Sequence, residues 1–120
     1  MNYADLTNAG MNVDEFLKRL MGKESLLNHF IASFLKDSNF SRLKTAILNN
    51  DTDNAIAASH ALKGICGNMS INTLFDLFTA QVILLRNGEW DKAIAMMPEI
   101  TAVYEKITAA FNKWLEQQTN

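Results

Sequence analysis

An all-α fold is expected for this chain: an antiparallel, up-and-down four-helix bundle with additional short helices at its N-terminal end. Three observations predict it. Apolar residues recur at the helical period along nearly the whole length. One proline and five glycines are too little punctuation for a many-stranded β protein. The breaks between the apolar-periodic segments are only a few residues long, so successive helices must fold back beside one another.

The elements follow from that period. Residues 1–12 read as a lead-in. A short helix over 13–21 puts Phe16, Leu17 and Leu20 on one face, and Gly22 ends it. A second helix, over 23–37, carries Leu26, Leu27, Phe30, Ile31, Phe34 and Leu35 at the spacing of one helical face. Asp37, Ser38 and Asn39 break the pattern, and a third helix covers about 40–50. Asp51 to Asp53 offer N-caps for a fourth helix, over about 53–69. A fifth spans 71–87, with Leu74, Leu77, Phe78 and Leu85, and stops at Asn87-Gly88. The last runs over 90–117, with Pro98 either kinking it or marking its true start. The 120 residues suffice for one domain with its own core, without metal or disulfide staples.

Composition bounds the function. With 48% hydrophobic and 20% charged residues the chain is of the globular class. A net charge of −2 and the lack of any Lys/Arg run longer than two argue against a nucleic-acid partner. No stretch approaches the length of a membrane span, and the polar Met1 to Gly10 segment does not read as a secretory signal. Cys66 is the single cysteine and has no partner for an internal disulfide, which suits a reducing, cytoplasmic setting.

The chemistry points to the segment Ala55 to Met69. Advancing roughly 100° per residue, Ala55, Ala58, Leu62, Ile65 and Met69 gather on the side opposite His60 and form the core face. Beside His60 stand Ala57, Lys63, Gly64 and Gly67. Each glycine costs a helix interior about 1 kcal/mol relative to alanine. Both lie on the histidine face, where they bare the backbone around the imidazole and clear room for a docking partner. Lys63 is one turn along, within reach of the ring edge.

A phosphoryl-accepting histidine needs this arrangement. Its ring must be neutral to attack, as a solvent-exposed imidazole largely is at neutral pH. The transferred group spreads negative charge over its oxygens, so a nearby cation stabilises it. By contrast His29, surrounded by Ala32, Ser33 and Lys36 with no glycine, reads as solvated surface. Cys66 diverges from His60 around the helix and reads as a small, partly buried filler. Two histidines on separate helices, with no Glu-x-x-His pair, do not make a metal site.

The run His60-Ala61-Leu62-Lys63-Gly64-Ile65-Cys66-Gly67-Asn68-Met69 resembles the signature of the histidine-containing phosphotransfer (HPt) domain, and the likeness extends over roughly residues 13–115. It takes in Phe34-Leu35-Lys36-Asp37, Asp51, Leu74, Leu77 and Arg86-Asn87-Gly88-Glu89. The resemblance implies a four-helix bundle with His60 as the phosphorylated residue, Lys63 stabilising the phosphoryl group and Gly64 permitting docking. It implies a two-component phosphorelay whose partners are receiver domains of response regulators, a hybrid histidine kinase, or both. The chain would be a carrier and not an enzyme, with no cofactor or metal of its own, because the receiver supplies the acidic pocket and its Mg²⁺. Ser70 departs from the family's usual glycine. The family often places a Glu or Gln against the active imidazole; here Val82 holds that spacing, with Gln81 beside it. Gln81 either reaches His60 after a small shift of register or bonds backbone or water.

A different class of function keeps the same fold: a non-catalytic interaction bundle in which His60 has no chemistry. A monomer is expected, either free-standing or excised from a hybrid kinase.

Overall fold

Eight helices make up the computed structural model of the chain, which describes residues 2–118. They are α1 (Ala4–Ala9), α2 (Val13–Arg19), α3 (Glu24–Lys36), α4 (Asn39–Leu48), α5 (Thr52–Asn68), α6 (Asn72–Arg86), α7 (Trp90–Ala95) and α8 (Met97–Gln118). The fold is all-helical, and its only β pairing among the described residues is an isolated antiparallel bridge between Met11 and Ile71.

Local chemistry sets the boundaries. The Asn12 side chain caps α2 by accepting the Glu15 backbone N–H at 3.1 Å. Asp37 closes α3, and its carboxylate receives the Asn39 backbone N–H at 2.8 Å, so one residue ends a helix and begins the next. Asn50 adopts a left-handed φ of 52°, and the Asp51 N–H reaches back to the Ala46 carbonyl at 2.8 Å, which terminates α4. Asp51 then caps α5 through the Asn54 N–H at 3.1 Å.

Two expectations change. The segment 1–12 is not merely a lead-in: it contains α1, which packs on α8 with Leu6 fully buried. Met1, its first residue, lies outside the described residues. The helix expected over 90–117 is divided into α7 and α8 at Met96, and of the two roles open to Pro98 the one observed is at the true start, in the first turn of α8. Its missing N–H costs nothing there, because first-turn donors have no partner within the helix.

The packing places α5 between α4 and α6, while α8 lies against α1, α3, α6 and α7. One apolar core joins these helices, with Phe16, Leu27, Ile31, Leu62, Phe78 and Phe111 among its fully buried side chains. Aromatic rings connect α8 to α3 and α4, the two helices immediately before α5. Phe34 meets Phe111 edge-on with centroids 5.2 Å apart, and Phe40 stacks on Tyr104 at 4.0 Å. Trp114 is buried with its indole N–H donating to Asn28 Oδ1 at 2.7 Å, so its polar end is satisfied. No described helix is long and apolar enough to cross a membrane.

Candidate functional site

Helix α5 has two neighbours and therefore two buried flanks. Ala55, Ala58, Ser59, Leu62 and Cys66 face inward, with Met69 just past its end, and Ile65 is only half-buried. What remains for solvent is a narrow strip, and His60 lies on it. The imidazole is exposed, and no described residue hydrogen-bonds or ion-pairs with it. Lys63, one turn along, is half-buried and likewise has no ion-pair partner among the described residues.

The two glycines have different explanations. A methyl group placed at Gly64 would meet nothing within 4 Å, so this position leaves the backbone beside His60 open. At Gly67 a methyl would stand 2.9 Å from the Phe75 ring atoms Cδ1 and Cε1. Gly67 therefore admits the Phe75 ring from α6, a packing role beside the docking clearance expected of it. Its reason is a close approach between helices, which the spacing within α5 alone does not reveal.

Gln81 is completely buried, and its carboxamide is fully engaged. Its Oε1 accepts the Ser59 hydroxyl at 2.9 Å, and its Nε2 donates to the Ala93 carbonyl at 3.2 Å and lies 3.2 Å from Met97 Sδ. The side chain joins α5, α6, α7 and α8 in one buried connection at the residue preceding His60. Of the two alternatives for Gln81, the bond to backbone is observed, at Ala93, joined by the Ser59 hydroxyl, which neither alternative included; Gln81 makes no hydrogen bond to His60. No buried side-chain nitrogen or oxygen among the described residues lacks a partner.

The turn after α5 is a second polar junction. Ser70 is buried at a left-handed φ of 56°, a conformation that favours glycine. Its hydroxyl donates to Glu15 Oε1 at 2.6 Å and accepts from the Arg19 guanidinium, while its carbonyl accepts the Asn12 N–H at 2.8 Å. The α2 helix thus fastens the C-terminal end of α5, and the serine hydroxyl supplies contacts that a glycine would lack. Neither Ser59 nor the Glu15–Ser70–Arg19 group is apparent from the sequence, because each joins segments far apart along the chain. The one signal for Ser59 is its place about 100° around the helix from His60, at the edge of the core face.

On the other side of His60 lies a cleft of about 780 Å³ between α4 and α5. Arg42, Thr45 and Asn49 form one wall, and Asn54, Ala57 and Ala61 the other. Cys66 is fully buried, deeper than the partly buried filler expected, and burial, followed by the nearby Asp37 charge, pushes its thiol pKa up to about 12. It is packing, not a nucleophile. The Asp51 carboxyl is held below its ordinary value by the Asn54 side-chain and backbone hydrogen bonds, as an N-cap should be. His29 is exposed, and its ring lies edge-to-face with Phe30, with centroids 5.8 Å apart. Among the described residues no cluster of three or more His, Cys, Asp or Glu is placed to hold a metal ion.

Comparison with protein-family models, with curated proteins and with solved structures gives no match in any of the three.

Proposed function

We propose that this chain is a phosphoryl carrier of the HPt type, which accepts a phosphoryl group on His60 and passes it to a receiver-domain aspartate, or runs the same exchange in reverse. The observation that carries this reading is an exposed imidazole without internal partners, beside an open backbone at Gly64 and with Lys63 one turn away. A neutral ring nitrogen attacks phosphorus in line; the N–P bond forms as the acyl-phosphate O–P bond breaks, and the partner's carboxylate leaves. Lys63 offsets the charge on the equatorial oxygens. The buried flanks of α5 hold the backbone still while the histidine side chain remains free to meet a partner.

In this reading the bundle consists of α3 with α4 as one element, then α5, α6 and α8, with α1 and α2 as the additional N-terminal helices. Support comes from the packing, which runs in a ring from α4 to α5, α6, α8 and α3. The carrier brings no catalytic machinery of its own; receiver domains, a hybrid histidine kinase, or both supply it. A reducing, cytoplasmic setting and a monomeric state fit the same proposal.

The test is phosphoryl acceptance by His60→Gln. Its circular dichroism should remain helical, while labelling from a phosphorylated receiver is abolished. Labelling that persists in this variant would refute the assignment. Lys63→Ala should still accept the group, but transfer it more slowly.

A further inference from the structure

The cleft between α4 and α5 is lined by Ala57 and Ala61, which stand one turn before and one residue after His60 on α5. Three alanines of α5, at positions 57, 58 and 61, make its α5 side shallow. The facing stripe of α4 is polar: Ser38, Arg42, Thr45 and Asn49 follow one another at helical spacing. The charged groups lining it are Arg42 and Asp51. Asp51 lies at the turn, where its carboxylate oxygens take the Asn54 N–H and carboxamide. Arg42 is exposed and has no ion-pair or side-chain hydrogen-bond partner among the described residues.

The height of Arg42 follows from helix geometry. The α4 and α5 helices pack together across a short turn and so run antiparallel. Arg42 and Ala58 are equally distant from Asn50 in the sequence, so they stand level above that turn. His60 is then about 3 Å further along α5, at 1.5 Å per residue. Helix axes in contact lie about 8–10 Å apart, a gap that a long arginine side chain can bridge. The cleft therefore has an uncommitted cation at the level of the imidazole, on the opposite flank from α6.

We infer that this cleft seats an acidic segment of the phosphoryl-exchange partner, and that Arg42 is the residue that selects partners carrying a carboxylate there. The inference rests on the carrier reading and deepens it. A partner holding a phosphoryl group on a carboxylate approaches His60 with an anionic face, so an unpaired guanidinium beside the landing site complements it. A charge in such a place governs encounter and register more than the chemical step. Arg42 is accordingly a specificity residue, distinct in role from Lys63.

The experiment uses the full chain and a receiver domain phosphorylated with acetyl phosphate, measuring initial transfer rates against receiver concentration. Arg42→Glu should raise KM about tenfold with kcat within about twofold, and should flatten the dependence of KM on salt. Lys44→Glu makes the same charge change on α4 but lies outside the cleft, where its ammonium sits 5.1 Å from the Phe40 ring centroid; it should leave both parameters near wild type. An unchanged KM in Arg42→Glu overturns the inference while leaving the carrier reading intact, and so does an equal rise in Lys44→Glu. A wild-type chain that takes no phosphoryl group from any receiver overturns both.

Discussion

Alanine substitution at the two glycines of α5 should raise stability at Gly64 and fail to raise it at Gly67. Replacing glycine by alanine inside a helix gains about 1 kcal/mol from backbone entropy and propensity. At Gly64 nothing opposes that gain, because the added methyl faces open space. At Gly67 the methyl would stand 2.9 Å from two carbons of the Phe75 ring, closer than carbon atoms pack. Moving a half-buried ring against α6 is an overpacking cost of about 1–3 kcal/mol. Gly64→Ala should therefore stabilise by up to about 1 kcal/mol, and Gly67→Ala should be neutral or destabilising by up to about 2 kcal/mol. For a domain of this size each kcal/mol moves the melting temperature by roughly 4 °C. Urea unfolding followed by circular dichroism measures both variants on one scale. A Gly67→Ala protein as stable as Gly64→Ala would refute the argument that Phe75 requires the glycine.

Three further outcomes follow from the polar junctions. Ser59→Ala leaves the buried Gln81 Oε1 without its donor and should cost about 1–3 kcal/mol; in the Ser59→Ala, Gln81→Leu double variant a coupling energy of at least about 0.5 kcal/mol should appear in denaturant titrations. Ser70→Gly should be more stable than Ser70→Ala by about 1 kcal/mol, because both lose the hydroxyl contacts and only glycine relieves the left-handed φ. The Tyr3 hydroxyl donates to Glu24 Oε2 at 2.7 Å; that bond, then burial, then the Glu24 and Asp14 charges raise its pKa from 10.0 to about 12. The folded state thus holds this proton more tightly than the unfolded one, so its contribution is complete below pH 10 and is lost as pH rises through about 12; Glu24→Gln should shift phenolate absorbance back toward the ordinary range, and no shift would contradict the assignment.

The course of the chain was legible where a residue's role depends on its own helix. The period of α5 identified His60 as outward-facing, and Ala55, Ala58, Leu62 and Met69 as inward-facing, because a wheel needs only local spacing. It placed Ile65 too deep and Cys66 too shallow and did not assign Ser59, because the buried arc of α5 is turned toward the Ser59 and Cys66 side, away from Ile65, and is not centred opposite His60. The roles of Gly67 and Gln81 were illegible for a related reason. Each depends on a partner from another helix, Phe75 in one case and Ser59, Ala93 and Met97 in the other. Helix α1 escaped notice because its six residues are too few to establish a period, although Leu6 and Ala9 are spaced as neighbours on one face. The cleft beside Arg42 exists only once α4 lies against α5, so no single segment could announce it.

The direct test of the carrier reading is chemical mapping of the phosphorylated residue. The intact chain, incubated with a phosphorylated receiver and recovered, should carry one acid-labile, base-stable phosphate, and tandem mass spectrometry should assign it to His60. A chain that stays unmodified with every receiver tried, or a label found on His29 or on a hydroxyl side chain, would contradict it.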